Sequence, residues 1–83
     1  MKHASAETLD LLEPFLGRIR GFNKLTQKRP GIFYKGSKAF VHFHEDPQGI
    51  FADLWVASDW QRFRVSDQKE QEAFLKAISS NLG

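Results

Sequence analysis

There is no cysteine in this chain. Disulfides, thiol nucleophiles and cysteine-based zinc sites are therefore excluded, and the composition fits a reducing compartment. No apolar run approaches the ~20 residues that a membrane span needs, so no membrane partner is expected. The N-terminus lacks an apolar signal core, which places the expectation in the cytoplasm. A glycine-rich phosphate loop is missing too, because Gly31, Gly36 and Gly49 stand singly in turns. Ser37, Ser58 and Ser66 fall in predicted turns or a helix cap. No catalytic residue is assigned, no cofactor is called for, and an enzyme is not the favoured reading. Acidic residues are absent from Pro14 to His44, a stretch holding Arg18, Arg20, Lys24, Lys28, Arg29, Lys35 and Lys38. Such a basic segment marks either an anionic partner or cations that complement a helix C-terminus.

Aromatics are plentiful: eight Phe, two Trp and one Tyr in 83 residues. A chain this short buries only about 60% of its unfolded surface, so large rings must supply much of the core. One domain over residues 1–83 is expected, with residues 1–5 as a loose start. From Ala6 to about Arg20, Leu9, Leu12, Leu16 and Ile19 recur at helical spacing. Pro14 either kinks that helix near Asp10 or restarts it with the proline in the first turn. Phe22 to Pro30 reads as a basic connector closed by an Arg29-Pro30-Gly31 turn.

Four strands follow: Ile32 to Lys35, Lys38 to Glu45, Ile50 to Ala57, and Trp60 to Val65. Gly36-Ser37, Asp46-Pro47-Gln48-Gly49 and Ser58-Asp59 are the turns between them. Asp67 with Glu70 forms a capping box for a last helix striped by Ala73, Phe74, Ala77 and Ile78, ending near Ser80. The fold class is therefore α+β: an antiparallel four-stranded meander in the order α-β-β-β-β-α, with both helices packed on one face.

Turn lengths set the register, and register sets the faces. Pairing Glu45 with Ile50 puts His44 opposite Phe51, His42 opposite Asp53 and Phe40 opposite Trp55. The first hairpin is predicted to pair Ile32 with Val41 and Phe33 with Phe40. The last is predicted to pair Leu54 with Phe63, Trp55 with Arg62 and Asp53 with Arg64. One face then carries Ile32, Tyr34, Ala39, Val41, Phe43, Ala52, Leu54, Val56, Phe63 and Val65, and receives the helices. The other carries Phe33, Phe40, His42, His44, Phe51, Asp53, Trp55, Trp60, Arg62 and Arg64. Five large aromatics there exceed the apolar patch a soluble monomer usually exposes. Across its middle runs a row His42–Asp53–Arg64.

Three chemistries fit that face. Trp, Phe and Arg are interface residues, and a self-complementary face gives a homodimer or takes a protein partner. Aromatics with Arg62 and Arg64, helped by the basic segment Arg18, Arg20, Lys24, Lys28 and Arg29, would suit nucleic acid. His42, His44 and Asp53 would be the smallest set for a divalent metal or small ligand. The first is the leading expectation: a non-enzymatic binding module.

The run from Arg29 to Leu54 resembles a small family of uncharacterised conserved bacterial proteins. Its members carry a Pro-Gly-x-Phe-Tyr run and a Phe-x-His-Phe-His-Glu-Asp strand, followed by a turn and an Ala-Asp strand. The resemblance implies no activity, cofactor or catalytic residue, and points only to the hairpin. The strand order is more loosely similar to MmcQ/YjbR-like α+β proteins, discussed as candidate DNA binders.

Overall fold

The computed structural model describes residues 1–82. In chain order it contains β1 (Lys2–His3), α1 (Ala6–Leu11), α2 (Glu13–Arg20), β2 (Leu25–Arg29), β3 (Ile32–Lys35), β4 (Lys38–Asp46), β5 (Gly49–Val56), β6 (Asp59–Arg64) and α3 (Gln68–Leu82). The sheet is antiparallel in the order β2-β3-β4-β5-β6, and β1 pairs with β4 beside the far end of β3. The α+β class stands, but among the described residues there are six strands and three helices where four and two were expected.

The extra strands come from segments with little apolar signal. Leu25–Arg29 was expected as a connector. Only Leu25 in it is buried, as suits an edge strand whose other side chains face water. It turns into β3 through Pro30 and Gly31, with Gly31 at a φ of 74°, the arrangement of a type II turn. The N-terminus is not loose either: Lys2 and His3 pair with Glu45 and His44. Ser5 then caps α1 by accepting from the Thr8 amide at 3.2 Å. The first helix breaks at Leu12, and Pro14 sits in the first turn of α2, where its missing N–H costs nothing.

Two hairpins differ from the expected register. In β3–β4, Phe33 lies opposite Val41 and Ile32 opposite His42, while Tyr34 lies opposite Ala39. Phe40 is left over as a bulge. The bulge lets consecutive residues Phe40 and Val41 both be buried, and it turns Phe33 inward, fully buried. Phe33 and Phe40 thus leave the open face for the core, while Ile32 joins His42. The gain is two Phe rings taken out of water, and burying such side chains stabilises by about 1.5–3 kcal/mol each. In β5–β6 the turn is Ala57-Ser58, not Ser58-Asp59. Both residues have positive φ, 50° and 71°, as a type I′ hairpin requires. The register moves by two, so faces are kept but partners change: Ala52 meets Phe63, Trp55 meets Trp60 and Asp53 meets Arg62.

The core is one cluster gathered from the helices and one sheet face. Phe43 is its hub. Its ring lies 5.9 Å from that of Phe15 on α2 and 6.4 Å from that of Phe74 on α3, both edge to face. The stripe Leu9, Leu12, Leu16 and Ile19 is buried as its spacing predicts. The capping box of α3 forms as read: the Glu70 amide donates to Asp67 at 2.8 Å and the Asp67 amide to Glu70 at 3.2 Å. The helix runs two residues past the expected end at Ser80.

Candidate functional site

The face away from the helices is centred on Asp53, on β5. The alternation that buries Ala52 and Leu54 points Asp53 the other way. Its side chain is nonetheless only 12% exposed. Arg62, directly opposite on β6, donates two parallel bonds to it, Nε to Oδ1 at 2.7 Å and Nη2 to Oδ2 at 2.8 Å. Such a fork is the strongest common carboxylate pairing. His44 Nε2 lies 3.1 Å from Oδ2 on the other side. The row is therefore His44–Asp53–Arg62. His42, although opposite Asp53 in register, does not bond it, and Arg64 turns to Glu70 at 2.8 Å.

His42 occupies different chemistry. Its ring lies 4.8 Å from that of Trp60, and Trp60 in turn packs edge to face on Trp55 at 5.1 Å. Its Nε2 is buried with no hydrogen-bond partner. His3 on β1 completes the group, 5.2 Å from His44 and 6.2 Å from His42 between ring centroids. All three histidines of the chain thus meet on one patch. Trp60 is 38% exposed, while Trp55 and Phe51 are half-buried.

The electrostatics follow from these neighbours. Burial opposes ionisation of Asp53, but the hydrogen bonds and charge of Arg62 outweigh it and hold the carboxyl below its usual range. Burial lowers the pKa of His42, and the nearby His44 and His3 lower it further against the pull of Asp53. Burial lowers that of His44 as well, with Asp53 opposing and Arg62 assisting. At neutral pH His42 and His44 are therefore neutral imidazoles beside a compensated ion pair.

Of the expected face residues, His42, His44, Phe51, Asp53, Trp55 and Arg62 come together; Arg64, opposite Phe51, is drawn off to the start of α3. Phe33 and Phe40 are core residues. His3 was missed, because a two-residue strand has no periodicity to read. Among the described residues, no group of three His, Asp or Glu side chains is placed to hold a metal ion. Both oxygens of Asp53 are already engaged by Arg62 and His44.

The basic segment does not form one free patch. Arg18 pairs with Glu72 and Arg20 with Glu13. Lys24 donates to the Leu82 carbonyl at 3.2 Å, and Lys28 to that of Gly36 at 3.3 Å. Arg20, Lys28 and Arg29 line a hollow of about 460 Å³ that also contains Asp10 and Glu13, so its charge is mixed. No helix among the described residues is long and apolar enough to cross a membrane. Compared with protein-family models, curated proteins and solved structures, the chain matches none.

Proposed function

We propose that this chain is a non-enzymatic association module and that the occupant of its open sheet face is a second copy of itself. The observation that carries this reading is the Trp55–Trp60 pair beside His42, on the sheet face away from the helical core. Trp and Arg are the residues that anchor protein interfaces. The charges of the face are already matched within each copy, by Arg62 with Asp53 and Arg64 with Glu70, so two copies meet without strong repulsion. At a rise of about 3.3 Å per residue and a spacing of about 4.8 Å, the strands cover roughly 500 Å². A face-to-face pair buries on the order of 1,000 Å², the lower limit for a specific interface. The dimer is therefore weak and concentration-dependent.

Nucleic-acid binding has less behind it. Counterion release needs cations free to meet phosphate, and Arg18, Arg20, Arg62 and Arg64 are held by carboxylates of the same chain.

Sedimentation of the full chain tests the proposal. Between about 10 μM and about 1 mM the weight-average mass rises toward that of a dimer. Trp60→Ala weakens the association at least about tenfold. A strict monomer across that range overturns it.

A further inference from the structure

The three-histidine cluster joins two segments held by very different numbers of bonds. On β4, His42 sits between Ile32 of β3 and Asp53 of β5, and His44 between His3 of β1 and Phe51 of β5. His3 sits on β1, a two-residue strand attached only to β4. The charged groups on the side of this cluster are Asp53 of β5 and Arg62 of β6, with Asp46 of β4 beside Arg62, whereas Glu45 and Lys2 alternate to the opposite face toward Ser5 and Thr8. Asp53 is shared between Arg62 and His44. Asp46 acts on Arg62, and Glu45 on Lys2. Asp53 acts on His42 only through space, without a hydrogen bond to it. Imidazolium charge gathered here, with Arg62, would face a single buried carboxylate.

We propose that β1 is an acid-released strap: proton uptake by the histidine cluster detaches Lys2 and His3 from β4, uncovering the edge of β4 at His44 and Glu45. Repulsion is relieved by moving the element with the fewest bonds, and that is β1. The release stops at Ser5. The Ser5 amide donates to Glu45, and that bond, with the Thr8 hydroxyl, keeps the Glu45 carboxyl below its usual range, so it remains ionised where histidines gain protons. Helix α1 therefore stays docked, with Ala4 and Ser5 as the hinge. The inference does not depend on what occupies the open face.

Two amides of the intact chain report separately on the strap and its anchor. The Ala4 amide donates to the Phe43 carbonyl at 3.1 Å, and the Leu9 amide to that of Ser5 at 2.9 Å. Amide exchange is followed by NMR from about pH 7.5 to about pH 5, across the ordinary histidine range, with intrinsic rates divided out. Ala4 loses at least about tenfold of its protection on acidification, and Leu9 keeps its own. In His3→Asn, which removes the one imidazole that β1 carries and keeps a polar side chain, Ala4 loses less than about threefold. The proposal is overturned if Ala4 is unprotected at the higher pH, if its protection does not change, if Leu9 loses protection in parallel, or if His3→Asn behaves as the parent.

Discussion

The two faces of the sheet are made by the same strands, yet they solve opposite problems. One face is aliphatic and aromatic, with Val41, Phe43, Ala52 and Leu54 almost wholly out of water beneath the helices. Its free energy comes from many small contacts, any of which leaves a void when removed. The other face holds one buried carboxylate, an Arg62 fork, three histidines and two tryptophans that water still reaches. Its order comes from a few directional bonds, and burial lowers the pKa values of His42 and His44. The lesson is that stability and responsiveness are separated by about the thickness of one sheet.

Four measurements would break or sharpen that contrast. Phe43→Ala, at the hub of the covered face, has the largest effect. Phe-to-Ala changes in cores cost about 3–5 kcal/mol, which removes most of the stability of a domain this small, and urea unfolding reads it directly. Asp53→Asn comes next at about 1–3 kcal/mol, because Arg62 loses an ionic partner but is half-exposed and can turn to water. If Asp53→Asn cost as much as Phe43→Ala, the two faces would not differ in kind.

The third measurement is pH. His42 and His44 have lowered pKa values in the folded chain, so the unfolded chain takes up protons first. Their contribution is complete above about pH 6.5, the unfolded histidine value, and is lost as the pH falls below it toward the folded values. Asp53 adds a second loss as the pH falls below the unfolded Asp value of about 3.9, toward its lowered folded pKa. Urea midpoints at pH values on both sides of the histidine range should therefore fall on acidification. A midpoint that is flat through that range would contradict the neutral-imidazole description. The smallest effect on stability is that of Trp60→Ala, under about 1 kcal/mol, since the ring is already partly wet. Its consequence should be read in association, not in unfolding.

The sequence carried the site further than it carried the fold around it. Asp46-Pro47-Gln48-Gly49 is strong turn chemistry. The Gln48 amide donates to Asp46 at 2.8 Å, and the β4–β5 register follows as read from His42 to Glu45, while the expected Phe40–Trp55 pair lies outside the ladder. That alone brought His42, His44 and Asp53 together. Where a hairpin rests on weaker signals, the partner was misread. Ala57 and Ser58 adopt positive φ without a glycine or asparagine to announce it, which shifted Arg62 into the place expected for Arg64. The bulge at Phe40 has no marker in the sequence. It is favoured by what burial gains, a tertiary effect that local pattern does not contain. The β2 strand has one buried residue, and β1 has none.

The position of β1 also has a kinetic consequence. Each of the other strands pairs with its neighbour along the chain, through turns of a few residues that close fast. Ser5 and Glu45, which tie β1 and α1 to the sheet, lie 40 residues apart. Closing such a loop costs chain entropy, and β1 itself brings only two strand residues to repay it. The meander from β2 to β6 can form before β1 finds its place, so β1 should be the last strand to dock during folding and the first to leave at equilibrium.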